Sequence, residues 1–428
     1  MASWRFSVGS LGSRAVAAPA AVSPAAADSL LPLANLGTGY PDQEGGLTWR
    51  SDGAYAIDFD TNLLAASSSA ADAPTGWRDL LNVLGGTPGL PANPPDWGAY
   101  GARNPALRLY RPVVQEIEVM PGESVKLELG IYRPSGAAGA TGVQVRVVDR
   151  STGKGWNGSA WADGGILDSQ STADTWKDIA ETITADTTRT ERTVYLVIIE
   201  PVAASYDATS YVYASANGAA GAPVLYAAVD ACALVGHELP ADTDVALVPQ
   251  GGGTTLTITV AQPSCYVVGV AAQLVRTWRL TIQLPAGVQP RPKIGEVWIG
   301  SARTMLVGSP VMPIGGEEGA PGQLVVETGR GRREVVPDDA RPSGELALQF
   351  RATTDAAFRQ IRDEIARLTR FGADPLLLLP GEDFDGAGRV YHGRVEDRLA
   401  WSIVTRTAGG ESLRTFALPF RESPFAAP

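Results

Sequence analysis

The chain has 428 residues, 44% of them hydrophobic and only 19% charged, with 48 glycines, 31 prolines and a formal net charge of −11. This composition favours several turn-rich, packed domains, and the length predicts about three of them. Apart from a short basic loop at 329–333, no lysine or arginine cluster stands out, which argues against a nucleic-acid-binding protein. No apolar run approaches the ~18 residues that a membrane span needs.

Residues 1–29 are rich in alanine and proline, and we predict an extended arm that is ordered by lying on a neighbouring molecule. The segment 30–62 then contains a half-buried strand, because the apolar residues Tyr55, Ile57 and Phe59 alternate with small or acidic ones. The strand pattern resumes in 223–312. Several short strands between Gly/Pro turns are typical of a sandwich or barrel, so we expect 30–62 and 223–312 to form one interrupted domain.

The intervening segment 63–222 predicts a second β domain. One strand has a single apolar face, formed by Val125, Leu127, Leu129 and Ile131. The run TVYLVIIEPV is apolar on both faces and should be a central strand.

Residues 313–428 combine strands with one helix. Helical spacing relates Phe358, Ile361, Ile365 and Leu368, which predicts a helix over 354–371. Thr354 is the expected N-cap, and Gly372 is expected to end the helix.

Three regions of the sequence resemble known families. The phrases ANLG, LTWRSDGAYAIDFD and AAVDACALVGHEL look like the discoidin-type, galactose-binding-like jelly roll of phage tail proteins, although Glu238 stands where that pattern often has asparagine. The insert, with NLL near GW, PGESVKL and SYVYAS, resembles a carbohydrate-binding-module jelly roll. The C-terminal phrases LALQF, PLLLLP, YHGRVEDRLAWSIV and TFALPFRE are similar to distal-tail and baseplate proteins of tailed phages.

The resemblance implies a mainly β protein with two jelly-roll sandwiches, one inserted in the other, and a small β-barrel-like module with one helix. It implies a structural protein of the virion tail or baseplate, bound to other tail proteins and assembled as a trimer or hexamer. The inserted module would hold a fibre or contact glycans on the host surface. Two alternatives stay open: a secreted or surface carbohydrate-binding protein without a virion role, and a glycan-cleaving enzyme.

The stretch WNGSAWADGG offers the candidate ligand site. Asn157-Gly158 predicts a hairpin turn, which would present Trp156 and Trp161 at one end of a sandwich. Tryptophan rings stack on sugars, and Asn157, Asp163 and Trp176 would bind hydroxyl groups nearby. Two alternatives stay open: one tryptophan packs under its own loop while the other covers the sandwich edge, or the pair contacts a neighbouring tail protein. On the glycan hypothesis, Trp161→Ala should weaken binding without unfolding the module.

No motif predicts a catalytic residue or a metal site. The carboxylates Asp149, Asp168, Asp174 and Glu200 cannot be paired from sequence, as a glycosidase would require. We expect no cofactor, although the resemblance leaves room for a structural calcium in the insert. The two histidines, His237 and His392, are expected to be polar residues at strand ends, and Cys232 and Cys265 to be buried thiols; a disulfide between neighbouring strands is the alternative.

Overall fold

A computed structural model describes residues 4–9, 16–18, 47–48, 54–64, 76–80, 95–100, 103–185, 191–235, 239, 241–260, 265–283, 285, 293–294, 296–306, 315–317, 323–327, 333–337, 345–352, 354–379, 390–395, 400–406 and 412–422. Two compact units divide the chain. The first comprises Met1–Thr61 and Ala228–Pro428, and the second is Asn62–Ala227. The finer division of the first unit into arm, split jelly roll and C-terminal module stays a prediction.

The strands of the first unit that precede the second unit are β1 (Arg5–Val8), β2 (Val16–Ala18), β3 (Leu47–Thr48) and β4 (Ala54–Asp60). The second unit contains β5 (Arg78–Asp79), β6 (Asp96–Tyr100), β7 (Arg103–Leu109), β8 (Val113–Val119), β9 (Val125–Tyr132), β10 (Ala140–Asp149), β11 (Gly155–Trp156), β12 (Trp161–Ala162), β13 (Asp168–Gln170), β14 (Trp176–Ile183), β15 (Thr193–Ala203), β16 (Val212–Ser215) and β17 (Val224–Ala227).

The first unit continues with β18 (Val229–Val235), β19 (Thr243–Pro249), β20 (Leu256–Val260), β21 (Cys265–Gln273), β22 (Thr277–Gln283), β23 (Lys293–Ile294), β24 (Glu296–Gly300), β25 (Arg303–Thr304), β26 (Gly315–Glu317), β27 (Gln323–Glu327), β28 (Arg333–Pro337), β29 (Glu345–Ala352), β30 (Leu376–Leu379), β31 (Tyr391–Val395), β32 (Ala400–Arg406) and β33 (Ser412–Glu422). The prediction of a mainly β chain is therefore confirmed.

Two antiparallel sheets form the second unit, as far as the structure describes it. One has the order β12-β11-β10-β15-β8-β5 with β13 beside β10, and the other has the order β14-β9-β16-β7-β6 with β17 beside β9. The predicted alternation in β9 is confirmed, because Val125, Leu127, Leu129 and Ile131 are all fully buried in the core that the two sheets share. The predicted central strand is confirmed as well, since β15 lies between β10 and β8.

The first unit also contains a sandwich. The described strands give a five-stranded sheet, β2-β4-β22-β19-β20, and a three-stranded sheet, β21-β18-β24. One apolar cluster takes residues from both sheets, including Phe59, Trp278 and Ile299. Strand β4, which precedes the second unit in the chain, pairs with β22, which follows it. The chain therefore returns to the same sheet after the second unit.

The beginning of the chain differs from the predicted arm. Strand β1 lies inside a sheet of its own unit, between β25 and β30, and Trp4, Phe6 and Val8 are fully buried. The alternation of large apolar residues in WRFSV is a strand signal that the following alanines and prolines obscured. The arm hypothesis is thus wrong for residues 4–9, and most of residues 10–29 lie outside the described part.

The predicted helix is present but irregular. It runs through α1 (Asp355–Arg359), a π-helical segment (Gln360–Ile365) and α2 (Ala366–Leu368). Thr354 is the N-cap, and its side chain accepts a hydrogen bond from Ala357 N, as predicted. Gly372 follows with a φ of 85°, a conformation that favours glycine. Among the described residues, no helix combines the length and apolar character needed to cross a membrane.

Candidate functional site

The stretch WNGSAWADGG forms a β hairpin, as its Asn-Gly pair predicts. Strands β11 and β12 pair with Trp156 directly opposite Trp161, and the connecting loop is 157–160. Asn157 Oδ1 accepts hydrogen bonds from the backbone N–H groups of Ser159 and Ala160, at 3.1 and 2.8 Å. The side-chain oxygen of Asn157 therefore stabilises its own turn.

The two hairpin tryptophans pack toward the core of the second unit. Trp156 is only 6% exposed and belongs to the core cluster. Trp161 is half-buried, stacks on Tyr195 with a centroid distance of 5.2 Å, and donates from Nε1 to Thr184 O at 3.0 Å. The two indoles meet edge to face at 5.5 Å. This packing favours the core alternative over a sugar-stacking surface, and Asp163, which is exposed, is left without an open aromatic ring beside it.

Trp176 lies far from the hairpin. It is the first residue of β14, whereas Trp161 is bonded to Thr184, just beyond the other end of that strand. Eight residues of extended chain span about 26 Å at about 3.3 Å per residue. The five predicted site residues therefore do not form one binding site.

Trp176 instead belongs to a row of side chains that crosses the six-stranded sheet. In the registers of β14, β9, β16, β7 and β6, Trp176 lies opposite Tyr132, Tyr132 opposite Tyr213, Tyr213 opposite Arg108 and Arg108 opposite Asp96. Directly opposed residues lie on the same face of a sheet. This face is turned away from the core, because the intervening residues of β9 fill the core.

Tyr100 completes the aromatic surface. Its ring lies 4.4 Å from that of Tyr132 and 4.8 Å from that of Tyr213, while Trp176 contacts Tyr132 at 5.1 Å. Tyr132 and Tyr213 are buried beneath their neighbours, whereas Tyr100 and Trp176 are half-buried. Two partly open rings thus rest on two buried ones.

Arg103 is held on this face by several hydrogen bonds. Its Nη1 and Nη2 each donate to one carboxylate oxygen of Asp178 at 2.8 Å, and Nη1 also donates to Ser215 Oγ at 3.1 Å. The guanidinium carbon lies 4.4 Å from the centroid of Trp176, a cation–π contact. We call the following residues of this face the platform: Asp96, Tyr100, Arg103, Arg108, Tyr132, Trp176, Asp178 and Tyr213.

Gly130 makes room for Arg103. It lies in β9 opposite Asp178 and Ser215. A Cβ atom added at Gly130 would collide with Arg103 Nη1 and lie 2.8 Å from Asp178 Oδ1. Glycine within a strand often marks such a close approach, here of a side chain that crosses the sheet.

Hydrogen bonds set the ionisation of the platform. The Arg103 guanidinium holds the pKa of Asp178 below its ordinary value. Asp174, at the edge of the platform, accepts hydrogen bonds from the Ser135 backbone N–H and the Tyr132 hydroxyl, both at 2.9 Å, and its pKa is lowered as well, chiefly by the Ser135 N–H. Burial raises the pKa of Tyr132. The carboxylates of Asp174 and Asp178 are therefore charged, and the Tyr132 phenol is neutral, near neutral pH.

Only part of this site can be predicted from the sequence. Alternation in β9 places Tyr132 on the outer face, and alternation in β14 places Trp176 and Asp178 together. The row itself depends on which strands are neighbours and in what register. Five strands that are scattered over residues 96–215 contribute to it.

The carboxylates considered for catalysis are dispersed. Glu200 lies opposite Gln144, five residues along β10 from Asp149, which is about 17 Å at the usual strand rise. That separation exceeds the roughly 5–10 Å of a glycosidase pair. Asp168 is bonded to Lys177, and the lowered pKa of Asp174 is the opposite of what a general acid needs.

Metal-binding groups are not clustered in the part of the chain that the structure describes: no three His, Cys, Asp or Glu residues there lie close enough to hold an ion. The structural calcium stays a prediction. The backbone register places Cys265 opposite Leu234, two positions from the partner of Cys232, or about 8 Å between Cα atoms at standard strand spacings. A disulfide needs less than about 7 Å, so this register argues against one.

Two titratable groups of the first unit lie in its interior. His392 is in the middle of the sheet at β31 and is 1% exposed, so the expectation of a polar strand-end residue is wrong for it; His237 lies outside the described residues. Burial lowers the pKa of His392 to about 4. Burial raises the pKa of Glu364 to about 7, against the opposing effect of Arg303, whose Nε lies 2.7 Å away.

Comparisons with known proteins identify no family for this chain. No family model and no curated protein matches it. Among solved structures, it is similar to the N-terminal CBM22-1-CBM22-2 tandem domain of Xyn10C from Paenibacillus barcinonensis, with 11% identity, 56% of this chain and 97% of that chain covered, and a TM-score of 0.24. A similarity at that TM-score supports no inference about this chain.

Proposed function

We propose that the second unit binds glycans, without cleaving them, through the platform on its six-stranded sheet. The observation that carries this proposal is the cross-strand row of Trp176, Tyr132 and Tyr213, with the Tyr100 ring tilted against both tyrosines. The apolar faces of sugar rings stack on such aromatic rings.

The polar part of the platform suits hydroxyl groups. Arg103 and Arg108 present N–H donors, and the carboxylates of Asp96 and Asp178 present acceptors beside them. A sugar hydroxyl both donates and accepts, so it can bridge the two members of such a pair. A few polar groups around an aromatic surface are the usual composition of a small-ligand site.

Binding of the full-length protein to immobilised oligosaccharides tests the proposal. We expect retention on at least one glycan, and we expect Tyr100→Ala to lose it while the melting temperature changes little. Trp161→Phe serves as the matched control, because it changes a half-buried aromatic residue of the hairpin. Equal loss of binding in both variants, or no binding by the parent protein to any glycan, would contradict the proposal.

We further propose, from the sequence resemblance alone, that the protein acts within a phage tail or baseplate as a trimer or hexamer. Repeated platforms in a ring would strengthen weak sugar contacts by avidity. Quantitative peptide mass spectrometry of purified particles tests this: a copy number in multiples of three supports it, and the protein found only free in the medium contradicts it.

A further inference from the structure

Both arginines of the platform are matched by a carboxylate of the same face. Arg103 makes two parallel bonds of 2.8 Å with Asp178, and its side chain is only 11% exposed. Arg108 pairs with Asp96 in the same bidentate way, with 2.8 Å between Nε and Oδ1 and a second bond from Nη2 to Oδ2. Such fork-to-fork pairs fix orientation as well as charge. Neither guanidinium is therefore left as an uncompensated cation.

A third carboxylate, that of Asp174, makes the charge on this face more negative. Asp174 is held by neutral groups, the Ser135 N–H and the Tyr132 hydroxyl. Lys126 and Glu128, the other charged side chains on this face of the described strands, pair with each other at 2.7 Å. An acidic ligand on the platform would consequently meet two arginines that already pair with aspartates. It would also meet Asp174, whose hydrogen-bond donors are uncharged.

We propose that Asp96, Asp174 and Asp178 make the platform selective for uncharged sugars and exclude acidic ones, such as uronate or sulfated chains. This inference rests on the proposed glycan binding. A uronate or sulfate would need to displace Asp178 or Asp96 from its arginine, which breaks a bidentate pair, or to approach Asp174 as a like charge. Like charges brought together at an interface suppress the wrong partner. Uncharged hydroxyls need neither change.

Removing the two negative charges should weaken this preference. In Asp96→Asn/Asp178→Asn the side chains keep their shape, and each keeps one carbonyl oxygen that accepts hydrogen bonds. Asp178 also accepts from Gly218 N at 2.9 Å, and an asparagine oxygen can keep that bond. Arg103 and Arg108 then become uncompensated cations beside the aromatic rings, which is the arrangement that binds carboxylates and sulfates.

The experiment measures the affinity of the full-length protein for neutral oligosaccharides (xylan-, glucan-, mannan- and galactan-derived) and for acidic ones of matched length (oligogalacturonate, oligoalginate, heparin fragments). The parent should bind a neutral probe and prefer it over every acidic one. The double variant should bind at least one acidic probe about 10-fold more tightly than the parent does, and this gain should shrink as salt screens it. Because Asp96 and Asp178 also accept hydrogen bonds from sugar hydroxyls, the affinity of the double variant for the neutral probe should not rise, so the ratio of acidic to neutral affinity reports the gain.

Glu116→Gln is the matched control, because it removes one negative charge and its contacts with Arg78 and Arg150, both at 3.4 Å, on the other sheet. It should gain no acidic ligand. The single variants Asp96→Asn and Asp178→Asn repeat the test if the double variant melts early.

Three results would overturn the inference: a parent that prefers an acidic probe, a double variant with no gain, or an equal gain in Glu116→Gln. A parent that binds no probe of either class would refute the proposed glycan binding itself. The two failures are thereby distinguished.

Discussion

The second unit contains two groups of aromatic side chains in different environments: one group packs against the core, and the other lies on the outer face of a sheet. Trp156 of the hairpin is buried in the core, and Trp161, which is half-buried, packs against that core. Tyr100 and Trp176 lie on the far side of the six-stranded sheet and remain half-buried. The contrast teaches that the sheet face, and not the presence of tryptophan beside a turn, decides whether a ring is available to a ligand.

The largest effect that we expect is a loss of stability when a tryptophan of the hairpin is removed. Trp156→Ala should lower the free energy of unfolding by about 3–5 kcal/mol, because it removes a buried indole and leaves a cavity. Glycan affinity of the folded protein should not change. Chemical denaturation and calorimetric titration on the same preparation would measure both.

The same reasoning applies to Trp161→Ala, which would lose the stack on Tyr195 and the bond to Thr184 O. The sequence alone predicted weaker binding for this variant without unfolding, and the packing now predicts lower stability with unchanged binding. A Trp156→Ala or Trp161→Ala protein that keeps its melting temperature but loses its ligand would restore the hairpin as the binding site.

On the platform we expect the opposite: a substitution should change glycan affinity strongly and stability only slightly. Trp176→Ala should raise the Kd for the preferred glycan by about 10-fold or more, equivalent to about 1.4 kcal/mol, since it removes one of two partly open rings. Stability should fall by about 1 kcal/mol or less, because the ring is only half-buried. Phe371→Ala, which removes an aromatic side chain 69% exposed in the first unit, is the control and should leave affinity unchanged. A loss of several kcal/mol in stability without a change in Kd would place Trp176 with the hairpin tryptophans.

How far the sequence predicts these two groups follows from the range of the interactions involved. The alternation of Val125, Leu127, Leu129 and Ile131 is local, and it identified the strand and its buried face correctly. The Asn157-Gly158 turn is also local, and the hairpin formed where it was expected. The pairing of Trp176 with Tyr132, in contrast, joins strands that are far apart in the chain, and nothing in either strand specifies the register.

Buried strand β1 is a second case in which long-range pairing could not be predicted from the sequence. Its four residues are too few for a firm pattern, and the alanine- and proline-rich composition of the following residues dominated the prediction. Only its partners, β25 and β30, from more than 290 residues further along the chain, show that it is part of a sheet.

A smaller effect sharpens the comparison without touching any aromatic residue. Gly130→Ala should raise the Kd several-fold, because the new Cβ displaces the Arg103 guanidinium and so removes the contact that supports Trp176. If Gly130 acts through Arg103, the substitution should have little further effect in an Arg103→Met background, and the two changes should be strongly non-additive in a double-mutant cycle. Additive losses would show that Gly130→Ala disturbs the sheet generally instead of the position of Arg103.

The smallest expected effect is that of pH on the platform. Asp178 and Asp174 have lowered pKa values, the first through Arg103 and the second through the Ser135 N–H. A carboxylate whose folded-state pKa is depressed stabilises the fold at every pH above its ordinary unfolded value, near 3.8 for aspartate, and this contribution is lost only as the pH falls through the lower folded value. Affinity for an uncharged glycan should therefore be flat from about pH 8 to about pH 5.

Titration of the full-length protein with its preferred neutral glycan across this range checks the expectation, with Trp176→Ala as the baseline for non-specific binding. An affinity that changes with a midpoint between pH 5 and 8 would require another titrating group at the ligand. Glu364 and His392, whose pKa values burial shifts to about 7 and about 4, both lie in the interior of the first unit. Such a midpoint would therefore argue that the ligand is not bound by the platform. An affinity that does not change with pH in the parent protein, and that Trp176→Ala abolishes, would show that the platform binds the ligand.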